Sequence, residues 1–362
     1  MNQQPSEKPR TSAWTRVLLV SVVALLVAGT GIVLIPRDPA APPAVPFSES
    51  ARMEAFDDAM RLRDAAGRLL EMTATDAGAD PQEAGLAEAV TLLTTQSQAL
   101  LAPAGSTSGP STTLSSTASQ DGNEPEEKPT RAALLADLAE SGQRRLGDAT
   151  AADGGIARLL AAVGTAQLLQ SEKLAAQWQL TVPELTSDAP ATAARTDVQC
   201  PTASPSPDAS AATTDSALAA TVRSEQEAVY VYQVALKRLG DPAALTAAKG
   251  LAAHEDLLVK AEALTRENCG DVPTREAGYR LPEQFAEHPA ASLGALEASS
   301  LPGYGDLIAL STGNTRAWAI EGLMAASRRA LGWGAALSPL PGLDLDAGSL
   351  PPLPTPTASD GA

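Results

Sequence analysis

The chain has 362 residues, a formal net charge of −17, a sequence pI near 4.5 and only 3% aromatic residues. That length suits two modest domains. The acidic balance repels phosphate and no basic aromatic strip offsets it, so nucleic acid is excluded as a partner, whereas a solvated extracellular face fits.

Residues 17–36, VLLVSVVALLVAGTGIVLIP, form an uncharged apolar run of about the length that crosses a bilayer. Lys8, Arg10 and Arg16 precede it, while Arg37 and Asp38 nearly cancel beyond it. Positive charge stays inside, which predicts a cytoplasmic tail over 1–16, a transmembrane helix over 17–36 and an extracytoplasmic remainder. The alternative is a protein secreted after signal cleavage. A signal core is shorter, about 7–15 residues, and Ala40–Ala41 lies among prolines without the Ala-x-Ala spacing of a good cleavage site.

A Pro-rich spacer follows over 37–47. Residues 48–185 read as four helical pieces around a polar insertion at 103–129, which is predicted to be disordered. Their apolar seams are broken by Ala, Gln and Thr, so a thin core is expected. Residues 186–214, rich in Pro, Ala, Ser and Thr, read as a disordered linker, and 338–362 as a Pro-rich tail.

The better-specified domain is 215–337. Its first helix, over 215–238, sets Leu218, Val222, Val229, Tyr232, Leu236 and Leu239 on one face, and Glu225 occupies the slot between Val222 and Val229. Thr214 or Asp215 is the expected cap. The second helix, over 242–267, carries a seam of Ala244, Ala247, Leu251, Leu258 and Ala261 into which His254 intrudes. A third spans 290–310, disturbed at Leu301-Pro302-Gly303, and a fourth spans 315–333. The stretch between the second and third helices is long enough, at ~3.3 Å per residue, to traverse a helix bundle. Two hairpins joined by such a crossover predict a ferritin-like four-helix bundle within an all-α protein. If the first pair is antiparallel, Cys200 and Cys269 fall at the same end, where a disulfide is sensible in an oxidising compartment.

Several stretches also carry a resemblance. They are EQEAVYVY (225–232), AAHEDLL (252–258), GYRLP (278–282), GALE (294–297), TRAWAIEGLMAASRRALGW (315–333) and PLPGL (339–343). Together they resemble a ferritin-like domain-of-unknown-function family of actinobacterial cell-envelope proteins, over about residues 215–343. The resemblance implies a four-helix ferritin-like fold and assigns no reaction. A fainter echo links IARLLAAVG (156–164) to TRAWAIEGL (315–323), as an internal duplication would.

Glu225 and His254 lie 15 and 14 residues from the turn at Gly240, hence about 21–22 Å down their helices and at one level. Counting down the other two helices puts Tyr304 and Glu321 near that level. These four are the candidate metal ligands. The Glu-x-x-His pairs of di-iron bundles are missing, because Leu251 precedes His254 by three and Met324 follows Glu321 by three. A single divalent ion is the most such a set would hold. The other reading is a buried Glu225–His254 pair that fixes helix register. Glu297 with Arg328 or Arg329 reads as a solvated charged edge. His254-Glu255 lacks the second histidine of a zinc-protease helix, and no Gly-x-Ser-x-Gly elbow or phosphate-binding loop occurs. The expectation is a tethered, non-catalytic module binding an envelope protein or cell-wall component; the alternative is a metal-handling or redox protein.

Overall fold

In a computed structural model the described residues are 18–23, 45–73, 81–101, 128–181 and 212–354. They are helix, turn and coil, with no strand among them, as an all-α chain requires. Residues 18–23 are helical, with Leu18, Leu19 and Val20 exposed. The rest of the expected membrane segment lies outside the described residues, as do 103–127, 186–211 with Cys200, and 355–362. Among the described residues no helix is long and apolar enough to cross a membrane.

Met1–Val45 forms one unit and Pro46–Ala362 a second. The second contains α1 (Phe47–Thr73), α2 (Pro81–Leu100), α3 (Arg131–Ala151), α4 (Gly154–Trp178), α5 (Thr214–Ala235), α6 (Ala243–Glu267), α7 (Pro289–Leu310) and α8 (Gly313–Gly332).

Local chemistry explains where these helices start and stop. Thr213, rather than Thr214 or Asp215, caps α5. Its hydroxyl accepts from the Ser216 N–H while the Ser216 side chain takes the Thr213 N–H, which satisfies two donors that helix geometry leaves free. Helix α6 closes with Cys269 in the left-handed region (φ 64°) and the Gly270 N–H bonded to the Thr265 carbonyl. Pro289 opens α7 at a position where no N–H is needed. The disturbance expected at Leu301-Pro302-Gly303 does not interrupt the helix. Pro302 lies on the exposed side of an unbroken α7, where water can reach the carbonyl it leaves unpaired, while Leu301 and Tyr304 stay buried.

The connection after α6 runs the length of α5. Val272 packs with Leu258 and Ala261, the Pro273 carbonyl accepts from Gln226, Tyr279 meets Tyr230, and Phe285 packs with Tyr232 and Leu293. Helices α6 and α7 therefore run in the same direction. Helices α1–α4 repeat this plan. Ser48 bonds Asp153, and Arg52 bonds the Leu100 carbonyl, so α1 begins where α2 and α3 end. Helices α1 with α2, α3 with α4, and α1 with α3 pack as do α5 with α6, α7 with α8, and α5 with α7. The echoing segments 156–164 and 315–323 begin the fourth helix of each set.

The two sets share one core. Leu160 and Val163 of α4 pack with Tyr304, Leu307 and Ile308 of α7 and with Ile320 and Leu323 of α8. Gly154 lies so close to α7 that a Cβ there would sit 2.2 Å from the Ala309 carbonyl. Buried Arg316 of α8 donates to the Ala152 carbonyl at the end of α3. The PLPGL segment straps this junction, taking Gln96 on the Pro339 carbonyl and Arg158 on the Gly342 carbonyl. The first set is not thin either. Leu62, Leu86, Leu93, Leu134, Leu138 and Leu174 are almost fully buried together, each contributing about 1.5–3 kcal/mol of transfer free energy.

Candidate functional site

The buried polar cluster is built from one residue or more on each of the last four helices. Glu225 of α5, His254 of α6 and Glu297 of α7 are each no more than 2% exposed. His254 Nδ1 lies 2.7 Å from Glu225 Oε2, and Nε2 lies 2.9 Å from Glu297 Oε1. Tyr304 donates to Glu225 Oε1 at 2.8 Å, and Tyr232 donates to Glu297 Oε1 at 2.5 Å. Trp333 Nε1 donates to the Tyr232 oxygen at 2.9 Å, and Arg329 Nε contacts both Glu297 oxygens at 3.0 Å.

Hydrogen-bond inventory assigns the protons. The indole can only donate, so the Tyr232 oxygen accepts from Trp333 and its own proton goes to Glu297. Both carboxyls accept, from tyrosine and from imidazole, and an imidazole facing an acceptor at each nitrogen carries both protons. Two carboxylates are thus offset by one imidazolium and one guanidinium. Burial alone would lower the His254 pKa, but the bonds to Glu225 and Glu297 outweigh it and raise it. Burial would raise Glu297, yet His254 and Arg329 hold it below the ordinary carboxylate value. Burial pushes both tyrosines up, with Glu297 adding to the effect on Tyr232 and Glu225 to that on Tyr304.

The cluster has an approximate two-fold pattern. Glu and Tyr sit seven apart on α5 (Glu225, Tyr232) and again on α7 (Glu297, Tyr304), and each tyrosine bonds the glutamate of the other helix. Each ring rests on a glycine of its hairpin partner. A Cβ on Gly250 would lie 2.4 Å from Tyr232, and one on Gly322 would lie 2.2 Å from Tyr304. His254 fills the centre.

Of the four ligands predicted from sequence, Glu225, His254 and Tyr304 come together. Glu321 is exposed on α8 and has no part in the cluster. Helix phase explains the difference: Gly322, the next residue, faces Tyr304, so Glu321 turns about 100° away. Glu297, read as a solvated edge, is instead 1% exposed and the most heavily bonded carboxylate. Its partner is Arg329; Arg328 bonds Glu172 of α4. Tyr232 and Trp333 were also missed as polar partners, Tyr232 having been assigned to an apolar seam. The repeated Glu-x6-Tyr spacing was the available signal. Cys269 is not a free thiol, and Cys200 lies outside the described residues.

Both ring nitrogens of His254 are spent on carboxylates, and Arg329 already supplies positive charge to Glu297. No group of three or more His, Cys, Asp or Glu side chains is arranged to hold a metal ion among the described residues. Glu225, His254 and Glu297 are enclosed, and the cluster reaches the surface only at its edge, where Arg329 and Trp333 are partly exposed.

Residues 217–345 match the model of a protein family described only as a domain of unknown function, DUF4439. The match covers the C-terminal third and includes the whole cluster and the PLPGL strap. It does not carry the narrower actinobacterial assignment. No curated protein and no solved structure matches the chain.

Proposed function

We propose that this chain is a membrane-tethered, extracytoplasmic module whose ferritin-like helical domain has exchanged a metal centre for an internal ion-pair network. It serves the cell envelope by binding or structural work, with an envelope protein or a cell-wall component as partner. The observation that carries this reading is His254 bonded at both nitrogens, at 2.7 and 2.9 Å, to Glu225 and Glu297. A metal ion would need one of those nitrogens and would share Glu297 with a guanidinium. The crossover between α6 and α7 supports the ferritin-like assignment. The anchor over 17–36 and the Cys200–Cys269 disulfide belong to the proposal on sequence grounds, and both suit an oxidising exterior.

Metal analysis of the purified full chain tests it. The expected result is less than one ion per chain and a melting temperature unmoved by iron, manganese or zinc. One tightly held ion per chain, lost in Glu225→Gln, would replace this reading with metal handling.

A further inference from the structure

The crossover after α6 leaves a cleft of about 150 Å³ against α5, and no residue of the buried cluster lines it. Val229 and Leu258 supply its apolar lining, and the rings of Tyr230 and Tyr279, tilted and 5.6 Å apart, supply its aromatic one. Gln226 fixes that pair: its amide nitrogen donates to the Pro273 carbonyl, and its oxygen accepts from the Tyr279 hydroxyl. Gln226, Tyr230 and Gln233 recur at helical spacing along one face of α5. Gln233, Arg275 and Glu276 are exposed at the rim, and none has a hydrogen-bond or ion-pair partner among the described residues. The Tyr230 hydroxyl also lacks a hydrogen-bond partner there, and it is open to solvent rather than buried. An incoming molecule can therefore reach every one of these four groups.

From this arrangement we propose that the cleft binds one neutral pyranose ring of a glycan chain. Arg275 and Glu276 cancel in charge, so an anionic sugar or a phosphate finds no excess cation there. The lining still offers donors and acceptors together: guanidinium donates, carboxylate accepts, and amide and phenol do both. A sugar hydroxyl both donates and accepts, and so can answer each of them. A proline-rich peptide has no N–H to give Glu276. The C–H face of a pyranose carries slight positive charge, which suits the negative face of a tyrosine ring. Val229 and Leu258 extend that apolar contact. The cleft is smaller than the ~300–1,000 Å³ of sites that engulf a whole ligand, so it takes one ring and leaves the chain outside. This deepens the proposed function by naming a glycan as the cell-wall component, and rests on that reading only for where a glycan is met.

The test is saturation-transfer NMR on the full chain in lipid nanodiscs, with empty nanodiscs as the blank. The probes are cellotriose and triacetylchitotriose, and D-glucitol is the match with hydroxyls but no ring face. Saturable transfer to at least one trisaccharide is expected, strongest at the C–H protons of a single ring, with little to D-glucitol. Tyr279→Leu should abolish it. Gln233→Ala and Arg275→Ala alter exposed side chains, so each should keep the melting temperature and weaken binding about threefold to tenfold. No saturable transfer to either sugar would overturn the proposal, as would equal transfer to D-glucitol or unchanged affinity in both alanine variants. Stronger transfer to the peptide acetyl-Pro-Ala-Pro-Pro-amide would overturn it in favour of a proline-rich partner. A metal-free chain that binds no sugar would lose this cleft and keep the envelope module with a protein partner. Sugar bound by a chain that also holds one metal ion would refute the proposed function and leave the cleft standing.

Discussion

The two helix sets bury polar side chains in opposite ways. In α5–α8 four charges meet one another: Glu225, His254, Glu297 and Arg329 balance, two tyrosines and an indole add bonds, and of this group only Arg329 Nη2 stays buried and unpaired. In α1–α4 the buried polar groups are scattered. Arg145 is wholly buried, reaches the Ala51 carbonyl at 3.4 Å, and leaves Nε and Nη2 without hydrogen bonds. Asp148 lies 3.1 Å from Nη2 but out of line for a bond. Gln167 and Gln170 each spend an amide nitrogen and leave an oxygen unpaired. One plan of helices thus supports a connected network in one set, with a single guanidinium nitrogen unmet, and loose polar inclusions in the other. The lesson is that burial of a charge says little until its partners are counted, because an unmet buried group costs more than a met one contributes.

The sharpest break of that contrast is Glu297→Ala. It strands His254, Arg329 and Tyr232 at once, and should cost about 3–5 kcal/mol in a denaturant titration. A loss under about 1 kcal/mol would make the network decorative. The network also sets a pH window. Glu297 has a lowered folded pKa, so its contribution is complete above the ordinary carboxylate value of about 4.5 and fades as pH falls through the folded value. His254 has a raised folded pKa, so its contribution is complete below the ordinary imidazole value of about 6.5 and fades as pH rises through the folded value. Stability should therefore peak between the two, and His254→Gln should flatten the alkaline limb of a melting-temperature profile.

Gly322→Ala comes next in size. The added methyl meets a Tyr304 ring pinned by its bond to Glu225, so overpacking should remove about 1–3 kcal/mol in thermal unfolding. Gly250→Ala against Tyr232 should match it if the two-fold pattern is energetic as well as geometric. The smallest change is Arg145→Met in the first set. Burial already lowers the Arg145 pKa, and exchanging a poorly bonded charge for an apolar side chain should leave stability equal or about 1 kcal/mol higher. A large loss there would show that the first set is no looser than the second.

Much of the fold was readable from the chain because helix periodicity and breakers are local. The turn at Gly240-Asp241-Pro242, the start at Pro289 and the stop near Cys269-Gly270 follow from capping and proline chemistry. Glu225 and His254 were visible as polar intruders on apolar seams, since one side chain out of phase is detectable within a single helix. Glu297 was not, because beside Leu296 and Ala298 it looks like any charged residue on a helix edge. Its burial depends on α5, α6 and α8 closing around it. Tyr232 kept a hidden hydroxyl for the same reason: the ring satisfies the seam and only a neighbouring helix reveals the oxygen's partner.

The chain by itself determined the helices, the long crossover between α6 and α7, and which residues break the apolar pattern, all properties of neighbours within a few turns. Tertiary structure alone decided that the two sets share a core at α4, α7 and α8, that Glu321 turns outward while Arg329 turns in, and that α6 and α8 part to leave a groove. Those outcomes depend on the rotation of one helix against another. A single sequence specifies that rotation only through the packing of every side chain between them.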